Sequence, residues 1–241
     1  MTDYSQLDMV HRLPPARLVD RFAFLTYLAR GRRVVHVGFV DTGCQELNQS
    51  ADAWLHEHLA ASARSIVGLD VDEAGVEHAR GRGYEAYAVD CRDAAAIRTL
   101  GLPPADIVVA GEVIEHLDDC GPFLDGLHAL VEPGGLLALS TPNGASLTNA
   151  AAALANLEVN HPDHVTSFTS HTLDTMLERH RWTPVQHAVF TYQVKSSNDG
   201  TLRSRLLVSG ARGILGIERM LARLGSPYLA GGLIVVARTD A

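Results

Sequence analysis

Short apolar segments alternate with longer amphipathic segments along most of this chain, and this alternation constrains its fold more than any other feature. Such alternation is typical of βαβ units, which form a parallel sheet covered by helices. The expected strands are 33–38, 65–70, 84–90, 105–111, 136–141, 184–194 and 232–238. The expected helices are 14–30, 51–63, 72–81, 120–131 and 171–180. The sequence therefore predicts an α/β fold with a doubly wound, seven-stranded, mostly parallel sheet.

The chain reads as a single domain over residues 1–241, because no low-complexity linker interrupts it. We expect a helical cap at 1–31 and an extra helical segment at 195–230 before the last strand. Part of that segment, 202–224, is amphipathic and locally basic, with five arginines beside Glu218. A pair of helices packing on the sheet, or on a second copy in a homodimer, is the favoured use. A lid over an apolar ligand and contact with a membrane surface stay open as alternatives.

The charge and the cysteines narrow the classes of partner. A formal net charge of −8 argues against a nucleic-acid backbone or an anionic membrane as the main partner. Cys44, Cys91 and Cys120 form no C-x-x-C pair, so a disulfide framework is not expected and a reducing compartment fits. Residues 1–10 have neither a basic region nor an apolar core, so we expect no signal peptide and a cytoplasmic location.

The carboxyl ends of the first strands carry the candidate binding residues, because ligands of doubly wound sheets bind there. Gly38 permits a close approach of the backbone to a ligand, although the row through Gly43 does not complete G-x-G-x-x-G. Asp70 either accepts the hydroxyls of a ribose or caps the next helix, a role open to Asp72 as well. Asp90, beside the backbone N–H of Cys91, either accepts a hydrogen bond from the amino group of an adenine or caps the next helix.

Two later stretches carry a family resemblance. Residues 105–117 (ADIVVAGEVIEHL) and 130–143 (LVEPGGLLALSTPN) resemble the fourth- and fifth-strand motifs of class I S-adenosylmethionine-dependent methyltransferases, which have a Rossmann-like fold. The resemblance extends over about residues 14–194. It is strongest to the subgroup containing the ubiquinone-pathway O-methyltransferases, and the EVIEH region is similar to the methyltransferases of small-RNA 3′ ends. It implies cofactor contacts at Gly38, Asp70, Val71, Asp90, Cys91 and Gly111.

The first motif departs from the family pattern. His36 occupies the place of the usual acidic residue, and Val40 stands where a second glycine is common. These departures leave a non-catalytic cofactor-binding subunit as an alternative. A nicotinamide-dependent oxidoreductase is a further alternative, well behind a methyltransferase, because Lys195 is the only lysine and lies outside a Tyr-x-x-x-Lys motif.

A group of acidic and imidazole side chains follows the fourth strand. On one helical turn, Glu112 would face the same side as Glu115 and His116. Two carboxylates and an imidazole at one point could bind Mg²⁺, Mn²⁺, Fe²⁺ or Zn²⁺. His161 and His164 lie close together further along. In the small-RNA methyltransferases an E-x-x-E-H row and a distal Asp-His supply four metal ligands. That resemblance implies ligands at Glu112, Glu115, His116 and His164.

The same group sets the expected reaction. A metal or a base matters chiefly for a hydroxyl acceptor, so we expect O-methylation of a small molecule such as a sugar or a specialised metabolite in biosynthesis. The alternative without a metal uses His116 or His164 as the base on an oxygen or nitrogen acceptor.

Overall fold

The computed structural model describes residues 10–40, 54–192 and 202–239, of which 202–208 are described by their backbone alone. The strands are β1 (Ala16–Leu18), β2 (Arg33–Val37), β3 (Ser65–Asp70), β4 (Ala86–Ala88), β5 (Ala105–Gly111), β6 (Val131–Pro142), β7 (Trp182–Phe190) and β8 (Gly232–Thr239). The helices are α1 (Arg21–Ala29), α2 (Leu55–Ser62), α3 (Glu73–Gly81), α4 (Ala94–Thr99), α5 (Cys120–Leu127), α6 (Leu147–Leu154), α7 (Ser170–Arg179) and α8 (Leu202–Arg223). Short 3₁₀ turns cover Ile114–His116 and Pro227–Leu229.

The described strands form one sheet in the order β1-β7-β8-β6-β5-β2-β3-β4. Only β8 is antiparallel to its neighbours, β6 and β7, and every other pair is parallel. The predicted α/β, doubly wound, mostly parallel fold is confirmed. The sheet has eight strands rather than seven, because β1 adds a parallel edge strand beside β7.

The added strand changes the expected N-terminal helix. Residues 14–30 were expected to be one helix, yet α1 begins at Arg21, where Asp20 accepts a hydrogen bond from the backbone N–H of Ala23. The three residues of β1 pair instead with His187–Val189. So short an edge strand has no periodicity of its own, and only the long-range pairing with β7 defines it.

Further differences concern the edges of elements. β6 begins at Val131 rather than at residue 136, and its pairing with β5 shifts register between Ala105 and Ile107. Helix α6 lies between β6 and α7, where no helix was expected. A single helix, α8, takes the place of the expected helical pair. The expectations for Gly43, Cys44 and residues 1–9, 51–53 and 193–201 fall outside the described residues.

Apolar side chains cover both faces of the sheet. Along β5, Val108 and Ala110 belong to one buried cluster, while Ile107 and Val109 belong to the cluster on the opposite face. This accounts for the almost continuously apolar sequence of the strand. No described helix combines the length and the apolar character needed to cross a bilayer.

The strand order also places the ligand-binding edge. The chain runs outward from β2 through β3 to β4 and then returns to β5 on the other side of β2. The switch point between β2 and β5 is where ligands of doubly wound sheets bind, outside the carboxyl ends of the strands.

Candidate functional site

A cavity of about 530 Å³ opens at this switch point. Such a volume is in the range of small-molecule and cofactor sites. All six residues for which the sequence implied cofactor contacts line it: Gly38, Asp70, Val71, Asp90, Cys91 and Gly111. They come from the ends of four strands, β2 to β5, which lie side by side in the sheet.

Gly38 follows β2 directly and lies in the left-handed region, with φ of +68°. A Cβ atom at this position would overlap the side chain of Val113, which follows β5. Both the backbone angle and the space therefore require glycine here, and the bare backbone forms part of the cavity wall.

The Asp70 carboxylate organises the same wall. One oxygen accepts from the backbone N–H of Val40 at 3.0 Å, and the other accepts from that of Asp72 at 3.1 Å. The cap of α3 is Asp72, whose side chain accepts from Gly75. Asp70 is thus free of the capping role, and the described residues leave two of its roughly four lone-pair sites for a ligand.

The Asp90 carboxylate is held by Arg92 through a contact of 2.7 Å to the guanidinium and 2.9 Å to the backbone N–H. These bonds lower the pKa of Asp90. Asp93 caps α4, so Asp90 does not. Burial raises the pKa of the neighbouring Cys91 thiol to about 12, which keeps that side chain a neutral part of the wall.

Arg21 stands at the opposite end of the cavity. Its Nε donates to the hydroxyl of Ser140 at 3.0 Å, and a Cβ at Gly111 would meet its guanidinium. Within the described part of the chain, Arg21 forms no ion pair. This end of the cavity thus contains a guanidinium that none of the described carboxylates pairs with.

His36, the residue in place of the usual acid, is buried against His56. Their Nδ1 atoms lie 3.2 Å apart and their rings are stacked. Burial lowers the pKa of His36 well below its usual value and that of His56 to about 4. Both rings are therefore neutral at pH 7, and His36 closes the cavity behind Gly38.

The candidate metal ligands are only partly brought together. The ligand atoms of Glu115, His116 and His164 lie within 4.8 Å of one another. Glu115 is buried, and its Oε1 has no hydrogen-bond partner among residues 10–40, 54–192 and 202–239, while Oε2 accepts from Thr141 at 3.0 Å. Burial, together with the charge of Glu112, raises the pKa of Glu115 to about 8.

The surrounding bonds orient both imidazoles. The Nδ1–H of His116 donates to the carbonyl oxygen of Asp163 at 3.2 Å, and that of His164 donates to the Asn160 side chain at 2.9 Å. These bonds leave both Nε2 lone pairs available, the arrangement typical of metal-binding histidines. The backbone oxygen of Glu115 also accepts from Val165 and Thr166, which ties the two segments together.

Glu112 does not join this group. Its carboxylate accepts from the hydroxyl of Tyr192 at 2.7 Å and from that of Ser140 at 3.3 Å. Its φ of +60° explains the change of direction, since Glu112 does not continue into the 3₁₀ turn of Glu115 and His116. The expected helical turn, with both glutamates on one side, is not formed.

Three residues of the site were missed by the sequence analysis: Arg21, Arg92 and Tyr192. Only Arg92 had a local signal, because it lies two positions after Asp90. Arg21 is 119 residues from Ser140, and Tyr192 is 80 residues from Glu112, so no spacing rule links them.

Comparison with known proteins identifies a family. A model described as a methyltransferase domain matches residues 12–187, well over half of the chain. The chain is 39% identical over 121 residues to a probable S-adenosylmethionine-dependent methyltransferase of Mycolicibacterium smegmatis, covering 49% of this chain and 41% of that protein. It is 31% identical over 144 residues to a ubiquinone biosynthesis O-methyltransferase of Pseudomonas aeruginosa, covering 58% and 56%. The chain spans about half the length of these curated relatives.

Solved structures share the fold. A SAM-dependent methyltransferase from Archaeoglobus fulgidus aligns with a TM-score of 0.54 and 16% sequence identity, covering 90% of each chain. At this identity the similarity establishes the architecture alone.

Proposed function

The chain belongs to the methyltransferase-domain family, and from this premise we propose that it transfers the methyl group of S-adenosylmethionine to a hydroxyl group of a small molecule. The observation that carries the proposal is the cavity at the switch point. All six expected cofactor residues, from the ends of four strands, line it. The relatives named as methyltransferases support it.

The cavity fits an elongated nucleoside ligand. Asp90 follows β4 and Gly111 ends β5, three strand spacings away, which amounts to about 14 Å across the sheet. Asp70 is the last residue of β3, the strand between β4 and β2. The two lone-pair sites that the described residues leave open on it suit the vicinal hydroxyls of a ribose. The adenine would then lie toward Asp90 and Cys91, and the methionine portion toward Gly111.

The two arginines of the cavity suit different ends of such a ligand. Arg92 is already paired with Asp90 and Asp118. Arg21, at the Gly111 end, has no carboxylate partner among the residues that the structure describes. We assign Arg21 to the methionine carboxylate, which its guanidinium would bind as an ion pair.

When bound, S-adenosylmethionine supplies a methyl group already activated by its sulfonium. The chain itself has to orient an acceptor oxygen and take up its proton. His116 lines the cavity beside Glu112 and presents its Nε2 as a proton acceptor. His164 lies against it, with ring centroids 4.6 Å apart. Burial lowers the pKa of His164, which favours the neutral form that a base requires.

The same residues would bind a divalent ion. Glu115, His116 and His164 are the ligands that we propose, with Glu112 outside the set. One carboxylate and two imidazoles favour Mn²⁺, Fe²⁺ or Zn²⁺ over Mg²⁺. The observation in favour of an ion is the buried Oε1 of Glu115, which no described residue pairs with. A bound ion would help an acceptor hydroxyl to ionise.

Isothermal titration calorimetry with S-adenosylmethionine and S-adenosylhomocysteine tests the cofactor, and we expect both to bind. If neither binds, the proposed function is wrong. Acceptors can then be sought by following S-adenosylhomocysteine formation over a panel of hydroxylated and amine compounds. A preference for amines would contradict O-methylation.

Metal binding is tested separately with Mn²⁺ and electron paramagnetic resonance. We expect one ion per chain, and about 10- to 100-fold weaker binding in His164→Gln. His171→Gln removes an exposed histidine of α7 and serves as the control. Equal binding by all three proteins, or no binding at all, would argue for His116 or His164 acting as a base without a metal.

A further inference from the structure

Glu112 has an unusual position among the acidic residues of the cavity. It lines the cavity directly after Gly111, at the end where the methionine portion of the cofactor is placed. Within the part of the chain that the structure describes, its carboxylate forms no ion pair. The methionine end of the cavity therefore contains a carboxylate whose charge no cation balances directly.

A chain of hydrogen bonds fixes this carboxylate. Arg21 donates to the oxygen of Ser140, and the Ser140 hydroxyl in turn donates to Oε1 of Glu112. Tyr192 donates to Oε2 at 2.7 Å. Each donor faces an acceptor, so the network is complete with Glu112 in its ionised form.

Tyr192 is itself held by packing. Its ring lies against Phe190 with centroids 5.1 Å apart and against Gly231, where a Cβ would come within 3.0 Å of the ring. Burial and the charge of Glu112 raise the pKa of the Tyr192 hydroxyl, which therefore stays protonated and a donor. Tyr192 is not among the residues that line the cavity, and its hydroxyl bonds to Glu112, so Glu112 links it to the cavity.

We propose that Glu112, positioned by Tyr192, recognises the positive charge of the sulfonium and gives the protein a preference for S-adenosylmethionine over S-adenosylhomocysteine. The inference rests on the proposed function. The two ligands differ in this charge, since the product is a neutral thioether after the methyl group has left. With Arg21 on the methionine carboxylate, Glu112 is the carboxylate that we assign to the sulfonium. Asp163 also lines the cavity, but its carboxylate lies 3.8 Å from the imidazole of His161. Loss of this attraction after transfer would favour release of the product.

The test measures dissociation constants by calorimetry for S-adenosylmethionine, S-adenosylhomocysteine and adenosine. In Glu112→Gln we expect S-adenosylmethionine to bind about tenfold more weakly, while the other two change less than about twofold. Tyr192→Phe, which keeps the ring packing, should shift the same ratio in the same direction by about threefold. Glu178→Gln removes the same formal charge from an exposed position on α7 and should leave every constant unchanged.

The outcomes separate this inference from the proposed function. Equal weakening of both methionine-containing ligands would overturn the inference, because Glu112 would then hold the ammonium group that they share. An unchanged ratio would overturn it as well. Adenosine binding shows that each variant keeps its folded cavity. Failure of the unaltered protein to bind either methionine-containing ligand would overturn the proposed function and this inference together.

Discussion

The Nδ1 atoms of His36 and His56 lie 3.2 Å apart in a fully buried contact behind the glycine turn. One ring must donate to the other, so the pair requires both imidazoles to be neutral or to share one charge. Phe39 and Trp54 pack against His56, and its Nε2 has no partner among the described residues. An apolar environment of this kind cannot readily hold a second proton.

The first prediction concerns pH. The pKa of each ring is lower in the folded protein than the 6.5 of an exposed histidine, and Arg21 and Arg82 add to the effect of burial. As the pH falls, the two imidazoles therefore take up protons in the unfolded chain before they do so in the folded protein. The contribution of the neutral pair to the free energy of unfolding is complete above pH 6.5 and is lost as the pH falls toward 4. Between pH 7 and 4.5 the free energy of unfolding should fall in both proteins. The fall should be about 2 kcal/mol smaller in His56→Gln than in the unaltered protein.

Urea denaturation at a series of pH values measures this difference. His78→Gln, at an exposed position of α3, is the matched control and should follow the unaltered protein. Parallel curves for all three proteins would show that the buried pair does not contribute.

The second prediction concerns Gly38. Gly38→Ala adds a Cβ in the left-handed region and against Val113, so we expect about 2–4 kcal/mol of destabilisation. Gly101→Ala also has a positive φ, of +62°, but opens onto free space and should cost only about 1 kcal/mol. Adding Val113→Ala to Gly38→Ala should recover part of the loss. Denaturant titrations measure all four proteins, and equal costs at the two glycines would contradict the steric account.

The third prediction concerns Asp70. Asp70→Asn keeps the size of the side chain but replaces one acceptor oxygen by a donor that faces a backbone N–H. We expect S-adenosylhomocysteine to bind about 10- to 100-fold more weakly in calorimetry. Asp72→Asn makes the same change two residues away at the cap of α3, where asparagine is an equally good cap, and should bind normally. Equal effects in both variants would point to general loss of structure.

The fourth prediction concerns Glu218, which attaches α8 to the sheet. Its buried carboxylate accepts from the backbone N–H of Gly231 at 2.8 Å and from the Thr148 hydroxyl at 2.6 Å. Glu218→Ala leaves both donors unpaired and should cost about 2–4 kcal/mol in a denaturant titration. Glu218→Gln keeps an acceptor for Gly231 and should cost less than half as much. Similar losses in the two variants would mean that packing, rather than hydrogen bonding, dominates.

The interior strands and the residues of the strand ends that line the cavity were predictable because their signals are local. A continuous apolar run such as 105–111 marks a strand buried on both faces, and Asp70 follows directly from the end of its strand. The family resemblance of the EVIEHL and PGGLLALSTPN stretches is confirmed by the family match. The carbonyl oxygen of Asp163 that orients His116 had no such signal, because it lies 47 residues further along the chain.

The sequence by itself determined the fold class, the family and the strand ends that line the cavity, because hydrophobic periodicity and residues at strand ends act over a few positions. Only the tertiary structure decided how the E-x-x-E-H row is used. The positive φ of Glu112 turns its carboxylate to Tyr192, 80 residues away, and leaves Glu115 and His116 to meet His164. These contacts depend on how β5, β6, β8 and β7 follow one another across the sheet, which no spacing within the chain encodes.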